Sequence, residues 1–305
     1  MKTILFVKTS SLGDVVHNCP AVSDAARALP GAAIDWVVEE PFAGIAAMHR
    51  AVRRVIPVAV RRWRSAPWKP SVWSEIGAWR AELRRERYDA VVDTQSLFKS
   101  ALISKLALGM RHGLDRASAR EWLAPAFYDV RHSVPRNLHA VQRNRLLTAS
   151  ALGYELGESP DYGLRVPDIN KSGYVVLLTM TSRADKLWPE ERWVELGRGL
   201  GAPAILPWGS EGERARAERI AAQIGGTVLP RKNLAELAHL FVNARAVVGL
   251  DTGLTHLAAA LDVPAVGIYC GSDPALTGLH GAPRARNAGG PGRAPSVAEV
   301  LQPLA

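Results

Sequence analysis

The chain has 305 residues, 48% of them hydrophobic, which is enough for one large domain or two domains of ordinary size. Its apolar runs fall short of the roughly 18 to 20 residues that a membrane-spanning helix needs, and the run after Lys2 is too short for a secretion signal, so we expect a cytoplasmic protein. The two cysteines, Cys19 and Cys270, lack the spacing of a zinc motif or a disulfide framework, and we interpret both as small apolar residues.

The net charge of +9 is concentrated in the first half of the chain. Residues 1–165 hold 24 Lys and Arg against 16 Asp and Glu, whereas residues 166–305 hold 14 against 13. This imbalance indicates an anionic partner for the N-terminal half, whether a nucleic acid, a membrane surface or a phosphorylated substrate. An arginine-rich surface exposed only to water is the alternative.

Hydrophobic runs alternate with amphipathic segments along the first half of the chain. The predicted strands are 3–8, 33–38, 53–60 and 89–93, and the predicted helices are 15–28, 74–87, 97–108 and 137–152. Pro20 is expected to bend or delay the first helix. The stretch 157–173 is rich in Gly, Pro and polar residues and has no sustained period, which predicts a linker.

The same alternation restarts after the linker. The predicted strands are 174–179, 204–208, 246–250 and 264–269, and the predicted helices are 189–200, 211–223, 233–244 and 252–261. Residues 281–295, rich in Gly, Pro and Arg, are predicted to form an exposed loop. The two series predict two doubly wound parallel α/β domains, 1–165 and 166–305, with ligands at the carboxyl ends of the strands and an active site in the cleft between them.

The segment LDTGLTH, 250–256, follows a predicted strand and opens a predicted helix. Asp251 or Thr252 can cap that helix, and Gly253 lets the backbone come close to a ligand. The free amides and the positive dipole end of the helix suit a diphosphate. The alternative is an ordinary capped helix with His256 buried in the core.

Two further loops follow predicted strands of the second half. In TSRADKLWP, Thr181 and Ser182 offer hydroxyls, and Lys186 offers a cation that can neutralise a departing phosphate, unless it is simply a surface lysine. In PWGSEGE, Trp208 can lie against a purine ring and Glu213 can accept hydrogen bonds from ribose hydroxyls. Helix capping by the acidic residue is the alternative for this second loop.

The sequence RRWR follows the third predicted strand. Arginine matches carboxylates and phosphates bidentately, so Arg61, Arg62 and Arg64 suit an anionic acceptor. Alternation in a continuing strand would turn these side chains to opposite faces, which tells against all three meeting one group. Arg120 and Arg143 are weaker additions to the same basic set.

Six sequence blocks, in order over residues 1–275, carry a resemblance: KTSSLGDVVH, DWVVEE, RVIPVAVRRWR, DKLWPEERW, LPWG and DTGLTHLAAALDVP. Together they resemble the lipopolysaccharide heptosyltransferase I family of glycosyltransferases, glycosyltransferase family 9. The resemblance implies the GT-B fold, in which two Rossmann-like domains face each other across a cleft. It also implies transfer of L-glycero-D-manno-heptose from ADP-heptose to the first Kdo sugar of Kdo2-lipid A in lipopolysaccharide inner-core biosynthesis.

The reaction implied by the resemblance proceeds with inversion at the anomeric carbon and requires neither a metal nor another cofactor. The N-terminal domain binds the acceptor and the C-terminal domain binds the donor, and the last helix can pack back on the N-terminal domain. Peripheral contact with the cytoplasmic face of the inner membrane is expected, and nucleic acid is not an expected partner.

The opening loop KTSSLGD has one glycine, where a dinucleotide-binding loop would carry several. Residues 181–186 and 251–256 are better candidates for the donor phosphates, so we assign the opening loop to the acceptor. Asp14 matches the family's catalytic base, although a helix cap is the alternative. The expected donor contacts are Thr181, Ser182, Lys186, Trp208, Glu213, Asp251, Thr252, Gly253 and His256. The expected acceptor contacts are Lys8, Ser11, Gly13, Arg61, Arg62, Arg64 and Arg120, with Gly13 providing a tight turn and close approach of a sugar.

Three positions depart from the family pattern. Ser65 replaces a residue that is commonly basic, Thr179 stands where histidine is frequent, and Glu211 is an alternative to Glu213 for the ribose contact. Two other functions stay open: a glycosyltransferase of the same superfamily that adds a later core heptose or modifies a protein, and a non-catalytic nucleotide- or nucleic-acid-binding protein. The lack of a helix-turn-helix pattern or of a basic strand face interleaved with aromatics counts against nucleic acid.

Overall fold

The computed structural model describes residues 2–157, 159–167 and 169–304. The chain divides into two compact units, Met1–Gly163 and Leu164–Ala305. Of the predicted linker at 157–173, residues 158 and 168 lie outside the described residues. Its described remainder forms neither a helix nor a named strand.

The N-terminal unit alternates strands with helices. Its strands are β1 (Thr3–Val7), β2 (Ala33–Glu39), β3 (Val52–Val58), β4 (Arg87–Asp93), β5 (Leu108–Leu114) and β6 (Val130–His132). Its helices are α1 (Leu12–Ala28), α2 (Ala43–Ala47), α3 (Val60–Ser65), α4 (Pro70–Leu83), α5 (Phe98–Leu106) and α6 (Ala140–Leu152). The sheet order β3-β2-β1-β4-β5-β6 is parallel and reverses between β1 and β4, which confirms the predicted doubly wound architecture.

The C-terminal unit repeats this arrangement. Its strands are β7 (Val175–Leu178), β8 (Ala204–Leu206), β9 (Thr227–Val228), β10 (Ala246–Leu250), β11 (Ala265–Tyr269) and β12 (Ala285–Gly289). Its helices are α7 (Glu190–Gly199), α8 (Glu211–Ile224), α9 (Leu234–Asn243), α10 (Gly253–Ala260), α11 (Pro274–Thr277) and α12 (Val297–Leu301). The order β12-β11-β10-β7-β8-β9 is again parallel, and here it reverses between β7 and β10.

Each sheet is the centre of its unit's hydrophobic core. The apolar residues of β1 from Ile4 to Val7 are fully buried, as expected for a central parallel strand covered by helices on both faces. In the C-terminal unit, Trp188 and Trp193 are fully buried and pack edge to face with ring centroids 5.2 Å apart. The Trp188 indole N–H donates to the carbonyl of Pro295 at 3.0 Å, so its polar atom is satisfied inside the core.

Two local features of the N-terminal unit differ from the sequence analysis. Helix α1 begins at Leu12 and continues through Pro20, so the proline does not delay the helix start. The third strand ends at Val58, and residues 61–64 belong to helix α3, so the argument from a continuing strand does not apply to the three arginines. Trp63 of this helix packs against the core, and its ring centroid lies 5.7 Å from that of Trp79. This packing explains why the segment forms a helix.

One prediction for the end of the chain also needs correction. The predicted loop at 281–295 contains strand β12, which pairs in parallel with β11. The last helix, α12, buries Val297 and Val300 in the core of the C-terminal unit. Leu301 of the same helix packs against this core as well.

Candidate functional site

Asp14, Lys186 and Asp251 follow strands whose carboxyl ends lie where the strand order of each sheet reverses. In the N-terminal unit the loops after β1 and β4 meet at this point, and in the C-terminal unit the loops after β7 and β10 meet. Ligands of doubly wound folds bind at such switch points because the two loops diverge there and leave a crevice. We therefore take the switch point of each unit as its candidate site.

Asp14 occupies the third position of helix α1 and caps the helix start. Its Oδ2 accepts the backbone N–H of Ser11 at 2.9 Å and the Ser11 hydroxyl at 3.2 Å. The capping alternative for Asp14 is thus realised in the structure, but it occupies only one carboxylate oxygen. Gly13 lies within the first turn of the helix, so the prediction that it provides a tight turn was wrong.

The second oxygen of Asp14 faces Arg120. Nη1 of Arg120 lies 3.3 Å from Oδ1, and the Asp14 side chain keeps 25% of its surface exposed. Burial alone would raise the pKa of Asp14, but the charges of Lys8 and Arg120 and the hydrogen bonds from Ser11 hold that pKa below its usual value. The carboxylate is therefore ionised at neutral pH, which is the state that a proton acceptor needs.

Lys8 is buried at the end of β1, not displayed on the surface. Its Nζ donates to the carbonyl of Thr94 at 2.9 Å and to Oδ1 of Asn144 at 3.4 Å, and thereby joins the loop after β4 to helix α6. Burial lowers the pKa of Lys8 to about 8, although the negative charge of Asp14 opposes this shift. Lys8 therefore supports the first loop from the buried side and places a positive charge near Asp14.

Lys99 and Gln95 belong to the same site, and the sequence reasoning missed both. Nζ of Lys99 donates to the Ser10 hydroxyl at 2.7 Å, and Nε2 of Gln95 donates to the Ser10 carbonyl at 2.7 Å. The Ser10–Ser11 peptide bond between these contacts is cis. Burial lowers the pKa of Lys99, Arg61 and Arg64 add to that shift, and Glu39 and Asp14 oppose it. The position of Gln95, two residues after a predicted strand end, is a sequence signal that could have found it, whereas no local signal points to Lys99.

The three arginines of RRWR have different surroundings. The guanidinium of Arg62 is held by Glu40 and Glu75 in an exposed ion-pair cluster, so its charge is already compensated within the protein. The guanidinium of Arg61 lies 5.8 Å from the ring centre of Phe42, and the side chain of Arg64 is exposed. Arg61 and Arg64 are thus better placed than Arg62 to meet an anion.

Arg143, the other arginine of the predicted basic set, lies on helix α6. Its Nη2 donates to the carbonyl of Ser118 at 2.6 Å, while its Nε is buried and has no hydrogen-bond partner among the described residues. Burial, together with the charges of Arg136 and Arg120, lowers the pKa of Arg143. The structure therefore makes Arg143 a support of the loop that carries Arg120.

Among the described residues, Asp251 has three side-chain partners in the candidate site of the C-terminal unit. Its Oδ2 accepts from Nζ of Lys186 at 2.5 Å and from the hydroxyl of Ser272 at 2.6 Å, and its Oδ1 lies 3.3 Å from Nε2 of His256. Burial would raise the pKa of Asp251, but the hydrogen bonds from His256, Lys186 and Ser272 hold it far below its usual range. The sequence reasoning missed Ser272, which follows the end of β11.

Helix α10 begins directly after Asp251. Thr252 is the N-cap residue and Gly253 is the first helical residue, so the orphan backbone N–H groups of the first turn begin here. The hydroxyl of Thr181 donates to the Asp251 carbonyl at 3.4 Å, and the side chain of Ser182 is exposed. A lysine, a helix start and hydroxyl groups thus meet where a diphosphate could bind.

Trp208 lies in the loop after β8, and Glu213 lies in the first turn of the helix α8 that follows. The Trp208 indole N–H donates to the Leu229 carbonyl at 2.6 Å, and the Arg214 guanidinium lies 5.5 Å from the ring centre. Oε2 of Glu213 accepts the backbone N–H of Gly209 at 2.6 Å, so Glu213 does act in capping at the start of α8. Glu211 is largely exposed, with 78% of its side-chain surface accessible.

Metal ligands, membrane spans and cysteine pairs were also sought in the described part of the chain. Across residues 2–157, 159–167 and 169–304, no three His, Cys, Asp or Glu side chains form a group that could hold a metal ion. Within those ranges no helix combines the length and the apolar character needed to cross a bilayer. Cys19 is buried in α1, Cys270 packs against the C-terminal core, and both are free thiols.

The chain is similar to known proteins over most of its length. Residues 76–296 match the model of glycosyltransferase family 9 (heptosyltransferase). The chain is 46% identical to lipopolysaccharide heptosyltransferase 1 of Escherichia coli K12 over 289 residues, which is 91% of each chain. It is 48% identical to the Pseudomonas aeruginosa protein of the same name over 288 residues, 91% of this chain and 81% of the other.

Two solved structures are similar to the fold. The E. coli heptosyltransferase WaaC with ADP gives a TM-score of 0.88 at 43% identity, covering 98% of this chain and 96% of the other. The same enzyme with ADP-2-deoxy-2-fluoro heptose gives 0.87 at 42% identity, with the same coverage.

Proposed function

The chain belongs to glycosyltransferase family 9, the heptosyltransferases, and from this premise we propose that it moves L-glycero-D-manno-heptose from ADP-heptose to the first Kdo sugar of Kdo2-lipid A. The chain is a glycosyltransferase of lipopolysaccharide core biosynthesis with the two-sheet architecture of its GT-B relatives. In the proposal the N-terminal unit binds the acceptor and the C-terminal unit binds the donor. The complexes of WaaC with ADP and with a fluorinated ADP-heptose support the donor assignment.

The single observation that carries the proposed mechanism is the geometry of Asp14. An inverting transfer needs a base that removes the proton of the acceptor hydroxyl as that oxygen attacks the anomeric carbon. Asp14 is ionised, partly exposed and fixed through one oxygen, which leaves Oδ1 available to accept this proton. Arg120 is beside that oxygen and can orient an anionic acceptor by hydrogen bonds to its carboxylate.

The leaving ADP needs positive charge that is already in place. Lys186 provides an ammonium held by Asp251, and the first turn of α10 provides backbone N–H groups. In this proposal these groups stabilise the diphosphate without a metal ion. Trp208 and either Glu213 or Glu211 complete the donor site by contacting adenine and ribose.

The acceptor is anionic through its Kdo carboxylates and its lipid A phosphates. The excess of positive charge in residues 1–165 supports this acceptor. Among these basic residues, Arg61, Arg64 and Arg120 are exposed near the first loop. Because lipid A is anchored in a bilayer, we also propose peripheral association with the cytoplasmic face of the inner membrane.

The decisive experiment offers two acceptors together with ADP-heptose. Kdo2-lipid A and its mono-heptosylated product are supplied in equal amount, and the products are weighed by mass spectrometry. Addition of one heptose to Kdo2-lipid A is expected. Transfer confined to the mono-heptosylated acceptor would show that the enzyme adds a later heptose, and transfer to neither would refute the proposed acceptor class.

A further inference from the structure

An exposed apolar surface lies beside the first loop of the N-terminal unit, and we propose that it seats the enzyme on an anionic lipid bilayer. We define this α5 surface by Phe98 and Leu102 of helix α5 and by Trp122 and Leu123 of the loop after β5. Their exposed fractions are 41%, 39%, 63% and 42%. Side chains of this size are rarely left so open side by side unless they meet a partner.

The four residues form one surface because two hydrogen bonds tie their segments together. The carboxylate of Glu121 accepts the backbone N–H of Phe98 at 2.6 Å, and the backbone N–H of Glu121 donates to the Ser96 carbonyl at 3.2 Å. On α5, Phe98 and Leu102 are four residues apart and therefore project from one face of the helix. Trp122 and Leu123 follow Glu121 directly, so they emerge at the start of that face.

The α5 surface borders the proposed catalytic carboxylate. Arg120, the residue that contacts Asp14, comes two positions before Trp122 in the same loop. Lys99, which donates to the Ser10 hydroxyl, follows Phe98 at the start of α5. A bilayer lying against the α5 surface would thus place a lipid-borne sugar next to the base.

Positive charge around the α5 surface indicates an anionic bilayer, not an apolar groove on another protein. The guanidinium of Arg116 lies 5.4 Å from the ring centre of Trp122, and Lys105 shares the exposed face of α5. Arg61 and Arg64 act electrostatically on Lys99 and extend the basic rim. Tryptophan flanked by basic side chains is favoured at a membrane–water interface, where the ring enters the headgroup region and the cations meet lipid phosphates.

This inference rests on the proposed function, because the bilayer matters to the reaction only if the acceptor is a lipid. The test therefore separates binding from turnover. Full-length protein is floated with vesicles of phosphatidylethanolamine and phosphatidylglycerol, and with phosphatidylcholine vesicles as the uncharged comparison. Wild-type protein is expected to bind the anionic vesicles more strongly, and added salt should weaken that binding.

The test variants are Leu102→Ser and Trp122→Ser, both at exposed positions outside the catalytic machinery. Each should weaken partition into anionic vesicles by about tenfold, since the lost apolar burial is the main attraction. Leu276→Ser is the matched control, because Leu276 has the same 39% exposure as Leu102 but lies in the C-terminal unit. The variants should raise KM for Kdo2-lipid A in vesicles and leave kcat/KM for a deacylated, water-soluble acceptor unchanged.

Three results would overturn the assignment of the α5 surface. The first is that both variants float with anionic vesicles as strongly as wild type. The second is that Leu276→Ser loses as much vesicle binding as the two variants do. The third is a lower oligomeric mass of either variant in analytical ultracentrifugation, which would make the surface an interface between copies of the chain. If wild-type protein floats as expected but turns over neither acceptor, the proposed function fails and the surface assignment stands.

Discussion

Arg120 contacts the one oxygen of Asp14 that the start of helix α1 leaves open. Ser11 occupies Oδ2, whereas Nη1 of Arg120 lies 3.3 Å from Oδ1. In the proposed reaction the acceptor hydroxyl must approach Oδ1, so it meets the guanidinium and the base together. This relationship separates the structural role of Asp14 from its proposed chemical role, and substitutions can test each role.

The variant Asp14→Asn should lose the base and keep the helix cap. Its amide oxygen can still accept the Ser11 N–H but cannot take a proton at neutral pH, so kcat should fall about 100- to 10,000-fold. ADP affinity and the thermal midpoint should stay close to wild type. Asp14→Ala also removes the cap and should cost about 0.5–2 kcal/mol of unfolding free energy. Full ADP release by either variant would end the base assignment.

Removal of the Arg120 charge should change the pH dependence of the reaction. The pKa of Asp14 is held down by Lys8 and Arg120, so Arg120→Ala should raise that pKa and move the acid limb of the kcat profile to higher pH. If Arg120 also contacts the acceptor, KM for the acceptor rises as well. Arg116→Ala, a nearby exposed arginine, is the control and should leave the acid limb in place. An unmoved limb in Arg120→Ala would contradict the electrostatic coupling.

Lys186→Ala should weaken donor binding. Loss of a charge-assisted hydrogen bond of about 1.5–3 kcal/mol corresponds to about a 10- to 150-fold rise in the Kd for ADP, measured by titration calorimetry. The pKa of Asp251 should rise at the same time, because Lys186 is one of the donors that hold it down. Arg183→Ala is the control, since this exposed arginine pairs with Asp185 instead. Equal ADP affinity in Lys186→Ala and wild type would remove Lys186 from the donor site.

Lys8 should make the stability of the protein depend on alkaline pH. Its folded pKa is about 8 and its ordinary value is 10.5, so between these values the unfolded chain holds a proton that the folded chain has released. The free energy of unfolding therefore rises with pH in this window, by at most about 1.4 kcal/mol per pH unit. Urea denaturation of wild type and Lys8→Met at several pH values isolates the effect. A constant difference between the two proteins would contradict it.

The buried pair Arg145–Asp24 should dominate the stability of the contact between α1 and α6. Nε of Arg145 lies 2.7 Å from Oδ2 of Asp24, and Nη2 donates to the Gly157 carbonyl at 2.7 Å. Arg145→Ala leaves a buried carboxylate without its main partner and should cost about 3–5 kcal/mol. Arg27→Ala removes a half-exposed arginine at 3.4 Å from the same carboxylate and should cost less than about 1 kcal/mol. Similar midpoints for the two variants in urea would contradict this ranking.

The sequence predicted the central strands well because each contains a continuous apolar run. Strands β1, β7 and β10 lie within the predicted ranges, and β4 begins two residues before its predicted start. The missed strands lack that signal: β5 reads LGMRHGL and β12 reads ARNAG, and only pairing with a neighbouring strand orders them. Tertiary contacts, and not local sequence, therefore determine that β5 and β12 form strands.

The segment RRWR shows how a single partly buried side chain decides local structure. The preceding strand is predicted to end just before RRWR, and one tryptophan among three arginines fits the period of a strand as well as that of a helix. Trp63 settles the choice, since as part of α3 it reaches the core and the ring of Trp79 while the arginines stay in water.

Sequence reasoning named candidate residues where a motif lies within one loop, and it overlooked residues that two distant segments bring together. Asp14, Lys186 and Asp251 follow strand ends, which is why the sequence suggested them as candidates. Lys99 joins Ser10 across 89 positions, and Ser272 joins Asp251 across 21. No local pattern reports such contacts, because strand order in the sheet creates them.

The helix cap at Asp14 has a consequence for the speed of the proposed reaction. A free surface carboxylate samples several rotamers and must be ordered each time a substrate arrives. The two hydrogen bonds from Ser11 fix the orientation of this carboxylate in advance, so the remaining oxygen already points in one direction. The entropy of ordering the base is thus lost when the protein folds, and not at each turnover, which is preorganisation of a catalytic group by a helix start.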